Sequence, residues 1–299
     1  MPVGKLCVNE YESEVSNNMS NKTIMTGFSG LDQVLGGLRP GTLNVISGVP
    51  NMGKTSLALN IAMNAAKTSG KAVVYFSVET ERTQVVKRLF LPELLETREA
   101  NMAESIKTIL NGFEDLPIYI DDRSHLTPEL LIERFDALLT EKTDIGLVIV
   151  DCLNLISFSK NTSAYLPASF LTGGVTIRDI AMAAGTHALK NLALKYKVPV
   201  VALAQCGRNY RKDHIPALKD IYSEPLRQEA DSVIFIVRPV YYIDDPISNA
   251  NVIGHDRDAQ LIVAKNNYGE SDVSITVRWH VSVASFTDTD SDIRSLKQE

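Results

Sequence analysis

Apolar residues in this chain fall into short, nearly continuous runs separated by stretches where they recur every three or four positions. The runs lie at 43–47, 72–77, 117–120, 147–151, 198–204 and 232–237. Each reads as a strand buried on both faces. Between them, helical spacing predicts helices over 56–66, 81–97, 101–111, 128–141 and 175–197. Thr127-Pro128-Glu129 opens the fourth with a capping hydroxyl and a proline at the first helical position. A short helix follows Thr26-Gly27-Phe28-Ser29-Gly30-Leu31-Asp32 and is closed by Gly36-Gly37. Two last strands, at 260–265 and 273–280, flank Lys265-Asn266-Asn267-Tyr268-Gly269-Glu270 as a hairpin. Strands alternating with helices predict a mostly parallel sheet covered on both faces. Residues 157–174 read as a loop, 1–22 as a flexible tail or arm, and 286–299 as a polar tail. That leaves 23–285 as one domain, with no internal repeat or low-complexity linker.

Composition narrows the class. The chain has 299 residues, 44% of them hydrophobic and 22% charged, which suits one large α/β unit with a real core. A formal charge of −6 argues against a surface coated for nucleic acid, although a local basic loop is compatible with it. Cys7, Cys152 and Cys206 share no metal-ligand spacing and form no even disulfide framework, so a reducing compartment is expected. No apolar run approaches membrane-spanning length. The polar start, with Glu10, Glu12 and Glu14, is neither a signal nor a transit peptide. A cytoplasmic protein with no membrane contact is expected.

The strongest chemical signal is Gly48-Val49-Pro50-Asn51-Met52-Gly53-Lys54-Thr55, a phosphate loop matched at every defined position. It lies between a strand and a helix N-terminus, where free N–H groups and the helix dipole favour a polyphosphate. The expected nucleotide contacts are Gly48, Asn51, Met52, Gly53, Lys54, Thr55 and Ser56. Lys54 is assigned to the β/γ-phosphates of a nucleoside triphosphate, and Thr55 to Mg²⁺. In parallel sheets, ligands sit at the C-terminal ends of strands. Three polar residues directly follow apolar runs there. Asp151 is placed to hold Mg²⁺, Glu79 to orient or deprotonate the attacking water, and Gln205 to sense the γ-phosphate. Glu79 alone is equally well read as a strand-end residue facing solvent, a reading that weakens for all three together beside a phosphate loop.

Together with the phosphate loop, an ordered set of segments resembles the C-terminal RecA-like domain of DnaB-type replicative helicases. The set comprises Thr26 to Asp32, Phe76-Ser77-Val78-Glu79, Val148-Ile149-Val150-Asp151, Ala188-Leu189-Lys190 leading to Val198 through Gln205, and Ala230-Asp231 through Arg238. The likeness covers about 23–280. It implies an α/β, RecA-like P-loop NTPase fold and a helicase motor of DNA replication. Such motors form rings, usually hexamers, bind ATP at subunit interfaces and move along single-stranded DNA 5′ to 3′. A primase or loader is the implied further partner.

Several positions depart from that family. Its last hairpin carries Lys-x-Arg, whose arginine reaches a neighbour's γ-phosphate, whereas this chain has Lys265-Asn266-Asn267. Lys265 is expected to act across the interface, but an amide lacks the charge and fork geometry of arginine. Either Arg257 or another residue substitutes, or hydrolysis is slow. His187 stands where an arginine is usual and reads as a packed or solvated side chain. The DNA-contacting loop becomes Asp220-Ile221-Tyr222-Ser223-Glu224-Pro225, without arginine. Arg208, Tyr210, Arg211 and Lys212, in the polar and basic stretch 205–220, offer charge and a stacking ring instead, and are assigned to DNA over a solvated loop. The usual N-terminal domain is represented only by the short tail. Two alternatives follow: a helicase-derived ATP-binding module with weak or no unwinding, or another RecA-like class of KaiC or RadA type.

Overall fold

The computed structural model describes residues 23–96, 111–113, 115–141, 144–159, 161–162, 166, 176–207, 215–238, 258–289 and 293–296. After α1 (Ser29–Leu35), the chain runs β1 (Leu43–Gly48), α2 (Lys54–Ser69), β2 (Ala72–Ser77), α3 (Arg82–Glu96), β3 (Ile118–Asp121) and α4 (Pro128–Glu141). Then follow β4 (Ile145–Asp151), α5 (Ile177–Tyr196), β5 (Val200–Gln205), α6 (Glu224–Glu229) and β6 (Ser232–Val237). The last strands are β7 (Asp258–Asn266), β8 (Val273–His280), β9 (Ser285–Thr287) and β10 (Ile293–Ser295). Most of the expected helix at 101–111 lies outside the described residues.

All six continuous apolar runs are strands, and every residue of β1, β2 and β6 is buried. They form one sheet in the order β10-β8-β7-β6-β1-β5-β4-β2-β3, with β9 paired to β8. The strands from β6 to β3 run parallel, and the C-terminal strands are antiparallel. Helices end where the local chemistry says they should. Gly36 and Gly70 take left-handed conformations at the ends of α1 and α2. Thr176 and Asp179 form a capping box at the start of α5. In α6, Ser223 caps the first turn, where Pro225 sits without needing an N–H. Asp32 accepts from the Thr26 and Gly27 amides and the Thr26 hydroxyl, which accounts for the Thr26-to-Asp32 pattern as a local brace.

A second brace sits where β1 and β6 begin. Buried Asp231 accepts from the Leu43 amide at 2.8 Å and from the Lys190 ammonium, and its own amide donates to Leu43 O at 2.7 Å. With Lys190 removed, a buried carboxylate loses its charged partner. Lys190→Ala is therefore expected to lower unfolding free energy by about 2 kcal/mol. Chemical denaturation would measure it, with Lys190→Arg keeping most of the stability.

The structure corrects the expected polar tail. Phe286 is buried against Trp279, with ring centres 4.6 Å apart, and Ile293–Ser295 pairs antiparallel with β8. Asn60 of α2 grips this segment, donating to Ser285 Oγ and accepting from the Phe286 amide, both at 2.9 Å. The domain therefore continues past 285.

Candidate nucleotide site

The phosphate loop leaves the C-terminal end of β1, which lies between β6 and β5 in the parallel part of the sheet. Gly48 lies beside Gln205 of β5, and Ser77 of β2 beside Asp151 of β4, so the sequence-predicted residues share one rim. Asn51 and Gly53 have φ of 66° and 101°, the left-handed region in which the loop turns. Lys54 folds over the loop, its Nζ donating to Gly48 O at 3.1 Å and Val49 O at 3.0 Å. The Thr55 hydroxyl donates to Asp151 Oδ2 at 2.7 Å. Helix α2 begins at Lys54, two residues earlier than its apolar spacing implies, because the loop itself supplies its first turn.

Electrostatics favours a cation here. Burial pushes the Asp151 carboxyl above the ordinary aspartate range, although the Thr55 and Tyr75 hydroxyls favour its charge. Burial likewise pulls the Lys54 ammonium below the usual lysine range, against the neighbouring Cys152, Cys206, Asp151 and Glu79. One hydroxyl and one buried carboxylate suit Mg²⁺, which keeps waters and takes its remaining ligands from phosphate. Glu79, exposed at the end of β2, acts on the charge of both Asp151 and Lys54. Gln205 is held through its backbone N–H, which donates to Asn154 Oδ1 at 2.7 Å. Burial raises the thiols of Cys152 and Cys206 to about 11, so both are neutral packing groups at this rim.

A family profile described as "DnaB-like helicase C terminal domain" matches residues 23–288. The chain belongs to that family. Among its relatives, a probable replicative DNA helicase of Trieres chinensis is 31% identical over 262 residues, covering 82% of this chain and 53% of that protein. The replicative DNA helicase DnaB of Leifsonia xyli subsp. xyli is 29% identical over 276 residues, covering 88% and 56%. This DnaB-like chain thus spans about half the length of the curated relatives it matches. Among solved structures, a DnaB-like replicative helicase described with its primase interactions superposes with a TM-score of 0.79 at 21% identity, covering 96% of this chain and 68% of that one. The ATPase domain of G40P gives 0.77 at 21%, covering 96% and 99%. The fold is the RecA-like ATPase fold of DnaB-like helicases, and nucleotide binding follows from it.

Other predicted residues of this DnaB-like domain stand apart. Met52 is fully buried, so only its backbone is available to a nucleotide. Ser56 is buried and faces a cavity with Phe28, Asn60 and Phe286. Lys265 pairs with Val233, which lies beside Val45, and so stands at the rim opposite Gly48. Its Nζ donates to Arg227 O at 2.9 Å and Gln228 O at 3.0 Å, where a cation complements the C-terminal end of α6. The expectation that it serves only a neighbour is thus incomplete: it has a partner within its own chain. Asn267 is occupied too: its backbone N–H donates to Asp231 O at 2.8 Å and its side-chain amide to Asp231 Oδ1 at 3.4 Å. The His187 side chain is partly exposed, with Nδ1 3.3 Å from Glu229 Oε2. Arg208, Tyr210, Arg211, Lys212 and Arg257 lie outside the described residues.

Three contributors were missed by pattern reading. The Tyr75 hydroxyl donates to Asp151 Oδ2 at 2.8 Å from the neighbouring strand. Arg238 lies 4.4 Å from the Trp279 ring centre and donates to Asn51 O at 3.1 Å. Behind the loop, a Cβ added to Gly53 would stand 2.9 Å from Phe286 ring carbons. An arginine directly after an apolar strand was the available signal for Arg238. Nothing local marks the aromatic pair.

Proposed function

We propose that this chain is the motor of a ring-forming, ATP-dependent DNA helicase of replication, translocating 5′ to 3′ on single-stranded DNA in the cytoplasm. The observation that carries this reading is the convergence of Lys54, Thr55 and Asp151 beside Gly48 in a DnaB-like domain. Lys54 exchanges its two loop carbonyls for the β/γ-phosphates of ATP. Thr55 and Asp151 would hold Mg²⁺, which would supply charge neutralisation at the phosphates. Glu79 takes the proton of the water that attacks the γ-phosphorus, as the bond to ADP breaks.

Lys265 would reach a neighbour's nucleotide by leaving the two α6 carbonyls, so subunits share sites, most simply in a hexamer. A primase or loader is a further partner, in keeping with relatives that are replicative helicases. The second reading, an ATP-binding module with weak unwinding, is favoured by Asn267, whose neutral side-chain amide donates to Asp231 Oδ1 at 3.4 Å.

ATPase rate measured with and without oligo-dT, on one sample sized by mass photometry, separates the two. A hexamer with at least about tenfold stimulation is the expected result. A particle that stays monomeric with Mg²⁺ and ATP, or turnover indifferent to DNA, would remove the motor reading.

A further inference from the structure

We propose that Tyr75 is a positioning residue for Asp151, its buried hydroxyl fixing which carboxylate oxygen is left for the cation. The proposal rests on the reading of Thr55 and Asp151 as the Mg²⁺ residues and adds a residue that lies outside the phosphate loop.

Tyr75 stands on β2 between Ile120 of β3 and Ile149 of β4, and its side chain is fully buried. Phenylalanine would suit those apolar neighbours without bringing in a polar atom. A phenol hydroxyl taken out of water costs free energy unless it is bonded, so the choice of partner matters. That partner is Asp151 Oδ2, 2.8 Å away. The residue in register with Asp151 is Ser77, not Tyr75. Ser77 turns its hydroxyl to Thr80 O, just beyond its own strand. Side chains two apart on a strand share a face. Tyr75 therefore reaches Asp151 from the preceding position on the face that Ser77 occupies, and supplies the donor that Ser77 does not.

Asp151 is held at both its backbone and its side chain. Its carbonyl accepts from the Val78 amide at 2.7 Å. Its Oδ2 accepts from Tyr75 and, at 2.7 Å, from the Thr55 hydroxyl of α2. One carboxylate oxygen has lone pairs enough for both donors. Neither bond uses Oδ1, which leaves that oxygen for a cation or for its waters. With its proton committed to Asp151, the Thr55 hydroxyl keeps its own lone pairs for the same cation.

Thr55 alone would give the carboxylate a single tether, about which its two oxygens could exchange. Two donors converging from different elements, β2 and α2, set its orientation before a cation arrives. Hydrogen bonds behind a metal ligand tune metal affinity in this way.

The test is Mn²⁺ binding in the presence of ADP, read by EPR and corrected for ADP alone, in the full chain and in Tyr75→Phe, Tyr75→Met and Ser77→Ala. Tyr75→Phe sheds only the hydroxyl and should bind Mn²⁺ roughly 10- to 100-fold more weakly, the range for losing a bond that orients a metal ligand. Tyr75→Met also lacks the hydroxyl and should lose as much, so either variant that folds gives the answer. Ser77→Ala should match the parent. Affinity for fluorescent ADP in EDTA should be the same in every variant, because the phosphate loop is untouched. In ATPase titrations, Tyr75→Phe should raise the half-saturating Mg²⁺ concentration, and excess Mg²⁺ should recover most of the turnover. Unchanged Mn²⁺ affinity in Tyr75→Phe, even beside a lowered melting temperature, would make Tyr75 a packing residue only. An equal loss in Ser77→Ala would assign the effect to the strand end in general, and would also overturn the proposal. Parent protein that adds nothing to the Mn²⁺ binding of ADP alone overturns the Mg²⁺ reading itself, and this proposal with it.

Discussion

Lys54→Ala is expected to lower ATP turnover by at least about a hundredfold, the scale on which a single preorganised donor to developing phosphoryl charge acts. The loss should appear in kcat, because the loop backbone still presents its N–H groups to the polyphosphate. Folding should barely change. The substitution forfeits bonds to Gly48 O and Val49 O, but it also removes an ammonium whose burial already works against its charge. A melting temperature within a few degrees of the parent, read beside a steady-state ATPase assay, would separate a chemical defect from a folding defect. Turnover surviving in the variant at saturating Mg²⁺ and ATP would mean that the reaction is organised elsewhere.

What could be read from the chain depended on the range of the interaction. The phosphate loop is eight consecutive residues whose backbone geometry is set by Gly48, Asn51 and Gly53, so it was visible without any fold. Strands buried on both faces were equally visible, since each is an apolar run needing no partner to be recognised. Asp151 and Gln205 followed because strand ends in a parallel sheet gather at one rim. Lys265 was harder. Its spacing placed it on the hairpin, but the α6 carbonyls it caps come from a segment 37 residues earlier and leave no mark around it.

The C-terminal segment shows the opposite limit. Phe286 is a lone aromatic among Ser285, Thr287, Asp288 and Thr289, and nothing in that neighbourhood predicts burial. Its place is fixed by Trp279 on the adjoining strand and, across most of the chain, by Asn60 and the space that Gly53 leaves. Asn267 makes a related point. Pattern comparison marks a missing arginine, while the structure sets the side-chain amide against Asp231 Oδ1 at 3.4 Å, so the substitution changes both the interface chemistry and the surroundings of the Asp231 brace.

Asp151→Asn should separate chemistry from stability most sharply. The amide keeps one oxygen to accept from Thr55 and Tyr75, so the packing between β2, β4 and α2 is retained. It has no charge to hold Mg²⁺, and turnover is expected to fall at least about a hundredfold, with added Mg²⁺ restoring little. Stability should move the other way. Because the folded carboxyl titrates above its unfolded value, the fold binds that proton more tightly, and the stabilisation this gives is full at low pH and lost as pH rises through the raised folded value. At neutral pH the parent therefore carries a buried charge that asparagine lacks. The variant should melt at an equal or higher temperature there, and its advantage should shrink as pH falls toward the ordinary aspartate range. Melting curves at several pH values without Mg²⁺ would measure this. An advantage that grew on acidification would mean that Asp151 is held charged by its neighbours rather than strained by burial.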